Sequence, residues 1–238
     1  MNVIITGASK GIGKAIAGAF AAEGAHLFLC ARNEVTLYNT VAELQTKNPE
    51  SVIRARPADM SVKEEALAFG GWVLEGLAKT GGKVDVLVNN AGIFSPGNIY
   101  NEADGLLENM MATNLYSAYH LTRTLAPAMM DARQGLVVNI CSIASLQAYN
   151  NGGSYSITKF ALKGFSKNLR EELKPHQVKV MAVYPGAVMT ESWGDFDNST
   201  NRIMEAGDIA AMVLAAAKLS PQAVVEDIVM RPLLGDLP

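Results

Sequence analysis

The chain has 238 residues, 49% of them apolar and 18% charged, with a formal net charge of -3. That length suits one large domain with a real core, and the low charged fraction argues against disorder. No Lys/Arg cluster is long enough to read as a phosphate stripe, so neither nucleic acid nor an anionic membrane is an expected partner.

Met1-Asn2 leads directly into the apolar run Val3-Ile4-Ile5, without a basic n-region or a long apolar segment, so the expectation is a cytoplasmic protein. The run ends in Thr6-Gly7-Ala8-Ser9-Lys10-Gly11-Ile12-Gly13, and a helical pattern follows over 14–23 until Gly24. Strand, glycine turn and helix form the context that a phosphate-cradling loop needs. Glycines permit tight turns and close backbone approach, and a helix N-terminus offers unpaired N–H groups to pyrophosphate. The spacing carries extra residues between the first glycines compared with the familiar dinucleotide fingerprint.

A second strand spans 25–31, with Arg32 and Asn33 at its carboxyl end. A carboxylate there would bond the ribose hydroxyls of NAD; Arg32, together with Lys10 in the first loop, favours a 2'-phosphate and hence NADP(H). Residues 35–47 read as a helix broken by Asn48-Pro49, residues 52–56 as a third strand, and 62–78 as a helix with Ser61 as its N-cap. Val84-Asp85-Val86-Leu87-Val88 is the near-continuous apolar run of a strand buried on both faces, and it ends in the small-residue loop Asn89-Asn90-Ala91-Gly92. This rhythm predicts a doubly wound α/β sheet with ligand across the carboxyl ends of its strands.

Residues 94–105 are irregular and lie where a pocket mouth would be. Helical patterns follow over 106–114 and 116–130, with the polar Asn114 among apolar neighbours, a helix-packing amide or the holder of a water beside Lys159. Residues 135–141 form a fifth strand with Ser142 at its carboxyl end. Cys30 and Cys141 sit in apolar runs and read as buried thiols, and the three histidines are scattered, so no metal cluster is expected.

After the turn Asn150-Asn151-Gly152-Gly153-Ser154, a helix reaching about residue 173 carries Tyr155 and Lys159. Positions i and i+4 share a helix face, so both side chains point into one space. A phenol has an ordinary pKa of about 10, and a nearby ammonium favours its ionised form; a shift of about three units corresponds to roughly 4 kcal/mol. The pair suits a proton donor. Residues 178–183 form strand six, followed by the stiff bend Pro185-Gly186, then Val188 and Thr190. The polar segment at about 190–205, with Trp193 and Phe196 embedded, reads as a small substrate loop over the pocket. A helix over 203–218, with Asp208 near its start, and a strand over 224–230 close the pattern.

With these residues assembled, the chain resembles the short-chain dehydrogenase/reductase family over essentially its whole length. The resemblance rests on the loop from Thr6 to Gly13, on Asp59, on Asn89-Asn90-Ala91-Gly92, on Asn114, Ser142, Tyr155 and Lys159, and on Pro185-Gly186 with Thr190. It implies a single-domain Rossmann fold over 1–238, with a mostly parallel, seven-stranded sheet flanked by helices. It also implies NADP(H) held by Thr6, Gly7, Ser9, Lys10, Gly11, Ile12, Gly13, Arg32, Asn33, Asp59, Met60, Asn90, Ala91, Gly92, Tyr155, Lys159, Pro185, Gly186, Val188 and Thr190. In that family's mechanism hydride passes to a bound carbonyl carbon while Ser142 and Tyr155 bond the oxygen and Tyr155 delivers the proton. Lys159 orients the ribose and lowers the Tyr155 pKa, and Asn114 supports a water relay.

The C-terminal part is more similar to bacterial sepiapterin-reductase-like members, which implies a pterin or another small ketone or aldehyde as substrate. Ser142, Phe94, Tyr149 and Trp193 are the expected substrate contacts, with Tyr100 a weaker candidate. The alternatives are a 3-oxoacyl-(acyl-carrier-protein) reductase, whose glycine-bearing ending this chain lacks, and a non-catalytic NADP(H)-binding regulator. A homotetramer, or else a homodimer, is the assembly the resemblance implies, through helices around 116–130 and 155–173.

Overall fold

A computed structural model describes every residue except Asp236 and Pro238, and every described side chain except that of Ser192. Asn2–Thr6 (β1), Gly11–Ala22 (α1), His26–Cys30 (β2), Glu34–Lys47 (α2), Ile53–Ala55 (β3), Lys63–Ala78 (α3) and Val86–Asn89 (β4) alternate as the apolar rhythm predicts. Leu106–Met111 (α4) runs through a π-helical turn at Ala112–Tyr116 into Ser117–Ala132 (α5). Then come Leu136–Ile140 (β5), Gly153–Leu173 (α6), Lys179–Pro185 (β6), Val188–Met189 (β7), Met204–Glu205 (β8), Ala206–Ala217 (α7) and Asp227–Met230 (β9).

The main sheet has seven strands in the order β3-β2-β1-β4-β5-β6-β9, and every neighbouring pair is parallel. The chain winds outward from β1 to β3, crosses back to β4, and winds outward the other way. The crevice at that reversal, beyond the carboxyl ends of β1 and β4, is where such sheets hold ligands. Alternate strand residues face opposite layers. Val3 and Ile5 pack with Ile16 and Phe20 of α1 and with Ile209 and Val213 of α7. Ile4 and Phe28 pack with Phe69 and Val73 of α3, Leu121 of α5 and Leu169 of α6. Both faces are covered, which explains why strands such as Val86–Asn89 carry no polar alternation.

Gly70, which weakens the helical reading of α3, has a packing reason. A Cβ there would sit 2.7 Å from Thr124 Cγ2 of α5, so glycine lets the two helices approach. Three expectations need correction. Val62, not Ser61, precedes α3; Ser61 donates instead from its N–H (3.0 Å) and its hydroxyl (2.7 Å) to Asp59 Oδ1, an Asx-type turn. The helix expected from 203 begins at Ala206, because Met204 and Glu205 pair with Val188 and Met189 in a small parallel sheet. Asp208 then caps that helix, accepting from the Glu205 N–H at 3.0 Å. Lastly, Pro185 belongs to β6 rather than to the bend. Its lack of an N–H costs nothing at this position, and the next residue, Gly186, donates to the Met230 carbonyl of β9 at 2.7 Å. Among the described residues no helix is long and apolar enough to cross a membrane.

Candidate active site

The carboxyl ends of β1, β4, β5 and β6 supply one wall of the site. Gly7 and Gly11 adopt left-handed backbone (φ 63° and 53°), turning the chain from β1 into α1. Gly13 is needed for contact rather than conformation: a Cβ there would lie 2.3 Å from the Gly7 carbonyl oxygen and 2.5 Å from Asn90 Nδ2. The Thr6 hydroxyl accepts from the N–H groups of Asn90 (3.0 Å) and Ala91 (2.9 Å), and Asn90 Nδ2 donates to the carbonyls of Thr6 (3.0 Å) and Gly7 (3.1 Å). Thr6 and Asn90, expected as ligand contacts, thus stitch the two small-residue loops together through their side chains. Ser9 is pinned from α2, where Thr40 Oγ1 donates to its carbonyl at 2.8 Å. The first turn of α1, with Lys10 before it and Gly11, Ile12 and Gly13 in it, has no side-chain cap and no acidic residue, so its N–H groups are available to an anion.

Arg32 stands exposed at the end of β2, 3.9 Å from the Asp59 carboxylate. A solvent-exposed pair at that distance holds the guanidinium weakly and leaves it free to meet a phosphate. Asn33 caps α2, accepting from the Thr36 N–H at 2.9 Å, so its carbonyl oxygen is committed while its amide hydrogens are not. Met60 is buried in the core beside Ala58 and Phe69, so only its backbone can meet a ligand. Thr190 closes the far side: its Cγ2 lies 3.0 Å from where a Gly11 Cβ would be, so the segment after β7 rests on the glycine turn. Pro185, Gly186 and Val188 bring it there, Val188 itself being buried in the core.

The catalytic candidates gather at the end of β5. Ser142 accepts from the Ala144 N–H at 3.1 Å and forms a capping box with Ser145, which fixes its backbone. Its hydroxyl faces the Tyr155 phenol and favours that phenol's ionised form. Lys159 is buried, donates from Nζ to the Ile140 carbonyl at 2.9 Å, and lies 5.7 Å from the centre of the Tyr155 ring. Gly92 faces this group; a Cβ on it would meet Asn114 Oδ1 at 3.3 Å and Lys159 Nζ at 3.9 Å. Asn114, on the π-helical turn, is 1% exposed. Oδ1 accepts from Ile93 N–H at 2.7 Å, while Nδ2 donates to the Ile93 carbonyl and to Thr158 Oγ1, both at 3.0 Å. Both amide hydrogens are thereby taken by protein, and only acceptor capacity remains for a water.

Electrostatics correct one expectation. The chain's own groups do not lower the Tyr155 pKa through Lys159. Burial pushes the phenol above the usual tyrosine value, and the hydrogen bond with Ser142 opposes that push. Burial also depresses the Lys159 ammonium, whose donor is turned to a backbone carbonyl. Both effects keep the phenol protonated near neutrality, which is the state a proton donor needs. The two thiols are inert by the same physics: burial pushes Cys30 up to about 12 and Cys141 up to about 11.

Among substrate candidates, Phe94 meets Tyr155 edge to face, with ring centres 4.8 Å apart, and is half exposed. Tyr149 is partly buried near Tyr155; burial first, then that phenol, raise its own pKa to about 12. Trp193 packs on Phe196 at 5.3 Å, within its own segment. Tyr100 is 85% exposed and stands away from the other aromatics.

A family profile described as short chain dehydrogenase matches residues 1–201. The chain belongs to the short-chain dehydrogenase family. Sepiapterin reductase of Chlorobaculum tepidum is 31% identical to it over 243 residues, covering 99% of this chain and 97% of that one. Dehydrogenase/reductase SDR family member 7B of Xenopus tropicalis is 32% identical over 229 residues, covering 90% and 73%. Among solved structures, a metagenomic short-chain oxidoreductase in complex with NADP superposes with a TM-score of 0.84 at 32% identity, covering 98% of this chain and 96% of that chain. An alcohol dehydrogenase from the archaeon Thermococcus sibiricus, complexed with 5-hydroxy-NADP, gives 0.90 at 27%, covering 100% and 98%.

Within this short-chain dehydrogenase several site residues escape sequence reading. Thr158 accepts from Asn114 and donates to the Tyr155 carbonyl at 2.8 Å. Asn139, paired across β4 and β5 with the Asn89 that the sequence had marked, joins it, Thr122 and Ser166 in a buried polar row beneath the site. An asparagine at or next to the end of each of two otherwise apolar strands was the available signal. Thr40 and Thr158 carried none, since a lone threonine on a helix is unremarkable.

Proposed function

We propose that this chain is an NADP(H)-dependent carbonyl reductase that takes a small ketone or aldehyde and uses Tyr155 as proton donor. The observation that carries the reading is the grouping of Tyr155, Ser142 and the buried Lys159 against Gly92, at the strand ends beside an uncapped glycine turn. The cradle fits a dinucleotide. Its glycine turn and the α1 N-terminus receive pyrophosphate, Arg32 and Lys10 the 2'-phosphate, Lys159 with Asn90, Ala91 and Gly92 the ribose, and the 185–190 segment the nicotinamide. Two structural relatives, one complexed with NADP and one with 5-hydroxy-NADP, support the same cofactor here.

NADPH, when bound, supplies the hydride. Ser142 and Tyr155 donate hydrogen bonds to the carbonyl oxygen, and the Tyr155 hydroxyl gives up its proton as that oxygen gains charge. The half-exposed Phe94 and Tyr149 border the Tyr155 phenol and favour a flat substrate. The end-to-end match to a sepiapterin reductase supports a pterin or a planar carbonyl of similar size. The exposed aromatics Tyr116 on the π-helical turn, Tyr119 on α5 and Phe160 on α6 support a subunit contact there, and hence a homodimer or homotetramer.

The test is NADPH oxidation across pterins, diketones, quinones and 3-oxoacyl thioesters, with Tyr155→Phe alongside. Wild type is expected to favour the planar members. Tyr155→Phe should lose roughly 100-fold or more in rate while NADPH still binds. Turnover retained in that variant would refute the proton-donor role, and NADPH binding without turnover of any member would favour a regulator.

A further inference from the structure

We infer that Glu102 is a positioning residue for Tyr155, acting through the N-terminus of α6; this rests on the reading of Tyr155 as proton donor. The helix that carries Tyr155 has no cap of its own. Its N-cap position is Gly152, no side chain bonds there locally, and its first turn contains no acidic residue. Glu102 fills that role from 52 residues back in the chain. One carboxylate oxygen accepts from the Ser154 N–H at 2.9 Å, and the other accepts from the Ser154 hydroxyl. Ser154 is 3% exposed and immediately precedes Tyr155.

The surroundings are shaped around that carboxylate. A Cβ on Gly153, whose φ is 32°, would fall 1.9 Å from Glu102 Oε1, and one on Gly97 would fall 2.9 Å from Glu102 Cγ. Glycines on both segments therefore leave the space the acid occupies. The same loop pairs with the start of α6 through a parallel bridge between Gly97 and Gly152, with the Gly97 N–H donating to the Asn151 carbonyl at 3.0 Å. It also carries Phe94, whose ring edge meets Tyr155. Glu102 thus ties the wall of the substrate mouth to the first turn of the catalytic helix. An anion there complements the helix dipole and satisfies the Ser154 N–H, which no local side chain reaches.

The test compares Glu102→Ala, Glu102→Gln and wild type on whichever panel carbonyl the wild type turns over fastest, with NADPH affinity and amide hydrogen exchange measured on each. Glu102→Ala is expected to lower kcat about tenfold by loosening the donor's placement, leave the NADPH Kd within about twofold, and speed exchange at Ser154 and Tyr155. Glu102→Gln keeps an oxygen for the Ser154 N–H and is expected to recover most of kcat. Unchanged kcat and exchange in Glu102→Ala would overturn the inference, as would equal losses in Ala and Gln or loss of NADPH binding with kcat. If Glu102→Ala does not fold, Glu102→Gln and Ser154→Ala decide: near-normal kcat in the first and a modest fall in the second support it, and the reverse order overturns it. Full turnover by Tyr155→Phe would remove the donor reading itself, whatever Glu102 does.

Discussion

Asn114→Ala separates a packing amide from a functional one. The substitution removes three hydrogen bonds, from Ile93 N–H at 2.7 Å and to the Ile93 carbonyl and Thr158 Oγ1 at 3.0 Å each. Each such bond contributes about 1 kcal/mol net, and a buried group left unpaired costs about 1–3 kcal/mol more. Ile93 is only partly buried, so water can replace some of what is lost, and the total comes to about 2–4 kcal/mol. For a chain of this size that is a fall in Tm of roughly 5–15 °C by thermal denaturation. Activity should fall further than stability accounts for. Asn114 joins the Ile93–Phe94 wall to Thr158, which bonds the Tyr155 carbonyl, so both sides of the pocket relax together. A displacement on the order of 1 Å at the donor costs about 100-fold in kcat. A Tm loss of that size with kcat unchanged would show that the amide only packs, and an unchanged Tm would contradict the bonding described above.

Thr40→Val removes the hydroxyl that holds the Ser9 carbonyl. It should cost about 1 kcal/mol by urea titration and weaken NADPH binding several-fold; unaltered binding would mean that the glycine turn needs no brace from α2. Arg32→Asp should shift preference toward NADH, while stability changes by less than about 1 kcal/mol because the pair with Asp59 is long and exposed; an unchanged cofactor ratio would remove Arg32 from the phosphate site. Lys159→Met addresses pH. Burial lowers the folded-state pKa of Lys159, so between that value and the ordinary one of 10.5 the unfolded chain binds more protons and folding stability rises with pH. Wild type should therefore gain stability relative to Lys159→Met as the medium is made alkaline, and parallel stability curves would refute the burial argument.

The sequence made the sheet legible because its strands are buried on both faces and its breaks fall at glycines, as at Gly7, Gly24 and Gly92. Ser142, Tyr155 and Lys159 could be placed together for a different reason: spacing on a helix and position at a strand end fix where side chains point. What could not be read depends on contacts between distant segments. Nothing local to Val62 reveals that Ser61 prefers the Asp59 carboxylate, and nothing near 204 reveals a strand partner at Val188. The relation of Lys159 to Tyr155 was half legible: the shared face was right, but the ammonium's preference for the Ile140 carbonyl belongs to the fold around it. Glu102 was invisible for the same reason, since its partner lies 52 residues on.

The row of amides and hydroxyls beneath the pocket also bears on how the molecule comes together. Asn89 gives its amide hydrogens to Thr122 and Asn139, and Asn139 gives to Ser166 on α6, so two strands and two helices share one chain of donors. Sliding β4 against β5 by a single position would strand those amides in hydrocarbon, so the row acts as a registration pin for the centre of the sheet. It also means that the Asn139 amide has no acceptor until α6 docks, so this corner of the molecule should open and close as one unit in hydrogen exchange rather than fray strand by strand.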